Sequence, residues 1–281
     1  MPHRLIDNNC FADSLVQYGD GVFETMLVVE RAIVHAEYHW RRLLVSCERL
    51  AISPPDIALL TEQLNAGIMS SETDVLLIKL IVSRGSALRG YGSRDNQPCD
   101  VQFAIRAYEF NSEIYQHGLS LQVAKPRIAS QPLLAGMKHC NRLEYVMIKR
   151  QTTAEWQQAP NNDFDEIILV DEDEQVIETL ISNIFIIDQR RLLTPQLDRA
   201  GVAGTMRAYL FDRLRCYGYT IEAGRIGLDE LLKASAVFLS NALRGVVPVA
   251  FIRDQHGSNH SFDMVPVRSI RQIVEHPCSV L

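Results

Sequence analysis

The sequence predicts an α+β protein of two lobes, on three observations. Strand-like alternation outnumbers helical periodicity, most consecutive strands are separated by short turn signals, and one stretch near residue 110 has no period. Hairpin-joined strands with a few helices favour α+β lobes over a doubly wound parallel sheet, in which strands and helices alternate. Residues 109–118 are aperiodic and close on Gly118, so they form the candidate linker between a smaller domain (residues 1–108) and a larger one (residues 119–281).

Each element has its own signal. Tyr18-Gly19-Asp20-Gly21 reads as a turn, Val22 to Val29 as a strand, and Arg31-Ala32 as a hairpin turn into a second strand, Ile33 to Ala36. From His39 the period lengthens, and Trp40, Leu43, Leu44, Cys47 and Leu50 define the buried face of a helix. A second helix follows Ser53-Pro54-Pro55-Asp56, with Ile57, Leu60, Leu64 and Ile68 inward. Strands at Val75 to Ser83 and Val101 to Tyr108 flank a loop rich in Gly and Arg.

Beyond the linker, Leu119 to Val123 is a strand, and Asn141 to about Trp156 is a helix with Leu143, Val146 and Met147 on one face. Two hairpins follow, Glu166 to Val170 with Gln175 to Thr179, then Asn183 to Ile187 with Arg191 to Thr194. A helix from Thr205 to about Cys216 precedes strands at Thr220 to Glu222, Ala236 to Leu239 and Val246 to Ile252. Asp263 to Glu275 is the last expected helix.

Composition bounds the function. The 281 residues are 47% hydrophobic and 22% charged, as in a folded enzyme rather than a disordered chain. A formal charge of -6 weighs against nucleic-acid binding while leaving room for a local anion pocket. Cys10, Cys47, Cys99, Cys140, Cys216 and Cys278 form no C-x-x-C pair, so neither a zinc site nor a redox dithiol is signalled and free thiols in a reducing cytosol are expected. Met1-Pro2-His3-Arg4 lacks the apolar core of a signal peptide, and no apolar run reaches the roughly 20 residues of a membrane span.

Two residues point to chemistry. Lys138 follows the apolar run Leu133-Leu134-Ala135-Gly136-Met137, and Glu178 stands within the strand-like Val176-Ile177-Glu178-Thr179-Leu180. A partly desolvated lysine supplies a free amine for a Schiff base, and an inward carboxylate can face the ring nitrogen of pyridoxal phosphate. The ordinary alternatives are a lysine snorkelling from a helix start and a strand carboxylate turned to water. Alternation alone leaves Glu178 able to face either way.

A phosphate needs backbone amides and a cation. Gly201-Val202-Ala203-Gly204-Thr205-Met206-Arg207 leads into a helix whose amides converge on one spot, Ser240-Asn241-Ala242-Leu243 can add a hydroxyl and further amides, and Arg42 is the candidate fixed cation. Ser83-Arg84-Gly85-Ser86-Ala87-Leu88-Arg89-Gly90-Tyr91-Gly92 suits a carboxylate grip or equally a surface loop.

In this order the segments resemble the fold type IV pyridoxal-phosphate enzymes, a group holding branched-chain aminotransferases, D-amino-acid aminotransferases and 4-amino-4-deoxychorismate lyases. Tyr18 to Thr25 matches an early family motif, and His39-Trp40-Arg41-Arg42-Leu43 matches the segment whose arginine, here Arg42, is implied to bind the cofactor phosphate. Lys138 falls on the Schiff-base lysine, Glu178 on the glutamate at the pyridine nitrogen, and Ser182-Asn183-Ile184-Phe185 on the segment that follows it. Gly204, Thr205 and Met206, with Ser240, Asn241 and Ala242, fall on the phosphate turns. The implied fold is a smaller N-terminal α/β sandwich with a larger C-terminal pseudo-barrel, and the implied assembly is a homodimer.

Within that group the likeness is greatest to the lyases. It rests on Arg84-Gly85-Ser86 with Arg89-Gly90-Tyr91, on Lys138 to Glu144, and on Ser240 to Leu243. Glu24 stands where some of those lyases have threonine, and Phe-Glu is also common among the aminotransferases. The resemblance implies a cytosolic enzyme of folate biosynthesis that takes aminodeoxychorismate to 4-aminobenzoate and pyruvate. Lys138 would move the protons, with Arg89 first, then Arg84, Arg106 and Tyr91, at the substrate. The alternatives are an aminotransferase acting on D- or branched-chain amino acids and a cofactor-binding regulator.

Overall fold

Val75–Ser83 is a run of aliphatic residues broken by one lysine, and only an extended chain can turn alternate members of it onto a helix layer. In the computed structural model, which describes residues 13–86, 91–92, 97–156 and 164–280, this run lies inside the first of two sheets. The chain divides into two units. One holds the described residues up to Tyr108 together with Met137–Arg142, and the other holds Glu109–Gly136 with the described residues from Leu143 onward. The lysine segment therefore groups with the smaller unit, although its sequence position lies in the expected larger domain.

The first unit runs α1 (Ser14–Tyr18), β1 (Gly21–Val29), β2 (Ala32–Ile33), α2 (Ala36–Arg49), α3 (Ile57–Met69), β3 (Val75–Ser83) and β4 (Asp100–Ala107). Its antiparallel sheet has the order β2-β1-β3-β4. The hairpin turn is Glu30-Arg31 rather than Arg31-Ala32. Both residues have positive φ, 51° and 63°, as a two-residue turn matched to strand twist requires. Val22, Met26, Val28, Ile78 and Leu80 pack with Leu43, Cys47, Leu60, Leu64 and Ile68 of the helices.

The buried face of α2 is rotated from the apolar pattern. His39, Leu43, Ser46 and Cys47 are buried while Leu44 is exposed and Trp40 half-buried. Hydrophobic periodicity passes over His39 because its burial depends on a partner in the sheet, Glu24.

The second unit runs α4 (Glu113–His117), β5 (Leu119–Val123), α5 (Leu143–Trp156), β6 (Glu166–Val170), β7 (Val176–Thr179), β8 (Asn183–Asp188), β9 (Arg191–Pro195), α6 (Thr205–Arg215), β10 (Thr220–Gly224), α7 (Leu228–Leu232), β11 (Ala236–Asn241), β12 (Gly245–Arg253), β13 (Asn259–Ser261) and α8 (Val265–Ile273), closing in a 3-10 turn at Pro277–Val280. Its sheet has the order β10-β9-β8-β11-β12-β5-β6-β7, with β13 on β12. The β9–β10, β12–β5 and β5–β6 pairs are parallel and the others antiparallel, so the sheet is mixed. β7, at one end of this order, packs against β8 and β9 near the other, and the sheet curls into a half-barrel.

One expectation changes here. The stretch 109–118 holds α4, and Tyr115, Phe110 and Ile114 pack into the larger core, because aromatic residues at irregular spacing show no period yet still bury area. On α5 the face Leu143, Val146 and Met147 is exposed, whereas Ile148 and Thr152 are buried. Among the described residues no helix is long and apolar enough to cross a membrane.

Candidate active site

In the first unit, Lys138 has no helix or strand of its own and is fixed by its neighbours. Its carbonyl accepts from Phe23 N at 2.9 Å, and Cys140 N donates to Gly21 O at 2.8 Å, so the segment adds a short antiparallel bridge to the start of β1. Arg142 donates through Nη2 to Met137 O (2.8 Å) and through Nε to His139 O (3.1 Å). The Lys138 Nζ lies 4.5 Å from the centroid of Phe23, and the Lys79 Nζ lies 4.4 Å from the same ring. An aromatic ring attracts ammonium groups through its quadrupole without neutralising either.

His139 is buried, and that burial, with Arg142 beside it, pushes its pKa down to about 4, so it is neutral at pH 7. Burial likewise pushes the Cys140 thiol up to about 11, which makes it an inert thiol.

Arg42 is not the solvated cation that its place on α2 suggests. Its Nε donates to Glu24 Oε1 at 2.7 Å, its Nη2 donates to Oε2, and His39 Nδ1 reaches Oε2 at 2.6 Å. Burial alone would raise the Glu24 carboxyl, but Arg42 and His39 outweigh it and hold the pKa at about 2. Glu24 is thus an ionised carboxylate in the sheet that fixes the guanidinium in one plane.

In the second unit, Glu178 faces inward at 3% exposure. Its Oε1 accepts from the Tyr145 hydroxyl (2.7 Å), and its Oε2 accepts from Val202 N (2.9 Å) and Asn183 Nδ2 (3.2 Å). Asn183 extends the arrangement, donating to Val202 O (2.8 Å) and accepting from Gly204 N (3.1 Å). Gly136 N donates to Gly201 O and Gly136 O accepts from Ala203 N, both at 2.9 Å, so the 201–204 turn is tied on two sides. That turn ends at Gly204, the N-cap of α6, which makes no side-chain cap bond, and Thr205 and Met206 behind it are buried.

Ser240 stands directly opposite Asn183 in the β8–β11 ladder, and its buried Oγ has no hydrogen-bond partner among the described residues. Asn241 Oδ1 accepts from Leu243 N (3.0 Å) and Arg244 N (2.8 Å), which folds Ala242 into a tight turn. A Cβ on Gly204 would come within 2.0 Å of Asn183 Oδ1. An uncapped helix N-terminus, an unpaired buried hydroxyl and a glycine cradle fit a bound phosphate, and a held carboxylate fits a protonated ring nitrogen.

The expected substrate residues separate. Arg84 is committed within its unit, to Asp20 at 2.6 Å and to the carbonyls of Leu50 (2.5 Å) and Ala51 (2.7 Å). Arg106 is exposed on β4, Tyr91 is 92% exposed with its ring 5.1 Å from that of Tyr18, and Arg89 lies outside the described residues. Sequence reasoning missed Lys79. Its signal was present as the one charge in Val75–Ser83, set by alternation on the face away from the helices. It also missed Tyr145, whose tie to Glu178 is made by folding alone.

Residues 21–252 match the family model described as amino-transferase class IV. A protein of Vibrio harveyi named aminodeoxychorismate lyase is 31% identical over 241 residues, covering 85% of this chain and 86% of its own length. The crystal structure of 4-amino-4-deoxychorismate lyase from Pseudomonas aeruginosa superposes with a TM-score of 0.81 at 33% identity, covering 96% of this chain and 94% of that one. A hypothetical aminotransferase from Mycobacterium tuberculosis in a PLP-bound form shares the fold (TM-score 0.76, 20% identity, 95% and 90% covered).

Proposed function

The chain belongs to the class IV aminotransferase family, a group of pyridoxal-phosphate enzymes of fold type IV, and on that premise we propose that it removes pyruvate from 4-amino-4-deoxychorismate to leave 4-aminobenzoate. The observation that carries the substrate choice is the second ammonium group, Lys79, sharing the Phe23 ring with Lys138. A substrate with two carboxylates needs a fixed cation beyond the reacting amine. The similarity to two named lyases over most of the chain supports the same reading.

Arg42, the α6 N-terminus at Gly204, Thr205 and Met206, and the turn at Ser240, Asn241 and Ala242 would hold the cofactor phosphate. Bound pyridoxal phosphate supplies an aldehyde for the substrate amine and a ring that withdraws electrons from the adjacent carbon. Glu178, oriented by three donors on its oxygens, is the carboxylate that would face the ring nitrogen. Lys138 takes the proton from the substrate carbon bearing nitrogen and returns one to the methylene carbon of the departing enolpyruvyl group. The C–O bond to the ring breaks as the ring becomes aromatic, so products and substrate balance without water or an oxidant. Asn183 and Tyr145 fix Glu178, and Lys79 would take a substrate carboxylate.

The test is purified holoenzyme with freshly generated aminodeoxychorismate and no keto acid, following 4-aminobenzoate and pyruvate together. Equal release of both is the expected result. Amino transfer from D- or branched-chain amino acids to 2-oxoglutarate, without that release, would keep the cofactor site and overturn the lyase.

A further inference from the structure

A base that also carries the cofactor must present its amine in one place, and Lys138 lies in a segment with no helix or strand to hold it. Three consecutive carbonyls there need donors: Met137, Lys138 and His139. Lys138 O is met by Phe23 N from β1. The carbonyls on either side of the lysine are met by a single side chain, with Arg142 Nη2 on Met137 O (2.8 Å) and Nε on His139 O (3.1 Å). Two donors in one rigid plane fix two carbonyl directions at once: that of Met137, in the peptide plane before residue 138, and that of His139, one plane further on, while Phe23 N holds the plane between them. The Cα–Cβ bond of Lys138, from which the amine is reached, is set by those planes.

We propose that Arg142 is the positioning residue for Lys138, forking the two carbonyls that flank the lysine so that its amine is aimed at the reacting atoms. The proposal rests on Lys138 being the amine that captures the cofactor aldehyde. A second contact supports it. The space where a Gly19 Cβ would sit is closed by Asn141 N and Cα, each 3.0 Å away, so the segment is also pressed onto the chain before β1. Arg142 and Gly19 thus act on one rigid strip of backbone. A lysine at position 142 has a point-like ammonium and cannot span both carbonyls with fixed geometry.

The experiment compares wild type, Arg142→Lys, Arg142→Met and Lys138→Ala with two probes. Pyridoxal phosphate reports covalent capture through its visible absorbance, and pyridoxine 5′-phosphate, which has no aldehyde, reports the non-covalent pocket. Arg142→Met should lower the covalent capture constant about 10-fold and kcat about 100-fold, as a misplacement of about 1 Å does, with KM little changed. Pyridoxine phosphate affinity should hold within about 2-fold, because the phosphate and ring contacts are made elsewhere. Arg142→Lys should fall between, and it serves as the readout if the methionine variant does not fold.

Unchanged capture in both Arg142 variants would overturn the proposal, as would an equal loss of pyridoxine phosphate affinity, since either would deny Arg142 a role confined to the lysine. Capture retained by Lys138→Ala would instead overturn the lysine assignment, and the proposal with it.

Discussion

Glu24 has almost no access to water, and its ionisation depends wholly on His39 and Arg42. Its pKa is held at about 2 against an ordinary value of 4.5, so the folded state binds its proton less readily than the unfolded chain. The stabilisation is therefore complete above the unfolded pKa and is lost as pH falls from 4.5 toward 2. A shift of that size amounts to a few kcal/mol. Urea midpoints of wild type and Glu24→Gln, taken between neutral pH and pH values near 3, should show a wild-type acid loss that the variant lacks. Parallel curves would mean that the carboxylate is not the acid-sensitive group. Lys79 makes a separate prediction. Lys79→Met should raise KM for a dicarboxylate substrate about 10-fold with a smaller change in kcat, because a point charge that holds substrate acts on ground and transition states alike. Initial rates of pyruvate release measure it, and an unmoved KM would take Lys79 out of the site.

Among the elements, strands were legible where alternation was strict. Val75–Ser83 and Leu119–Val123 begin and end where the pattern says, since one register buries the aliphatic side chains. Helices were legible as helices but not always in their orientation. Periodicity groups Leu143, Val146 and Met147 together, yet it carries no information on whether that face meets a core. Polar ties were not legible at all: nothing local joins Tyr145 to Glu178, or Glu24 to Arg42. The turn before α6 lies between these cases, because its glycines were visible but the reason for them was not. Gly204→Ala places a Cβ 2.0 Å from Asn183 Oδ1, and relief requires that side chain to leave Gly204 N, disturbing its contact with Glu178. We expect a stability loss of about 1–3 kcal/mol, read by urea denaturation, with pyridoxal phosphate affinity falling about 10-fold in a direct titration. Unchanged values of both would show that the turn yields without cost.

At the scale of the whole molecule, long-range grouping is what a linear reading lacks. Residues 137–142 join the smaller unit because their partners are in β1, more than a hundred positions earlier, and 109–118 join the larger core through Tyr115. The same reasoning bears on α5. Leu143 is 66% exposed, Val146 42% and Met147 43%, at spacings of three and four that set them side by side. Leaving a contiguous apolar stripe in water forgoes on the order of 1 kcal/mol or more per side chain, which a second copy of the chain can recover by burying it. The family resemblance to homodimers points to the same occupant, so we expect a dimer at low micromolar concentration. Replacing Val146 and Met147 together by glutamate puts two charges into that face while Ile148 and Thr152, which hold α5 to its own unit, are untouched. Sedimentation velocity should then show monomer with an unchanged circular dichroism spectrum. A wild type that is monomeric, or a double variant that dimerises as before, would mean that the stripe serves something other than self-association.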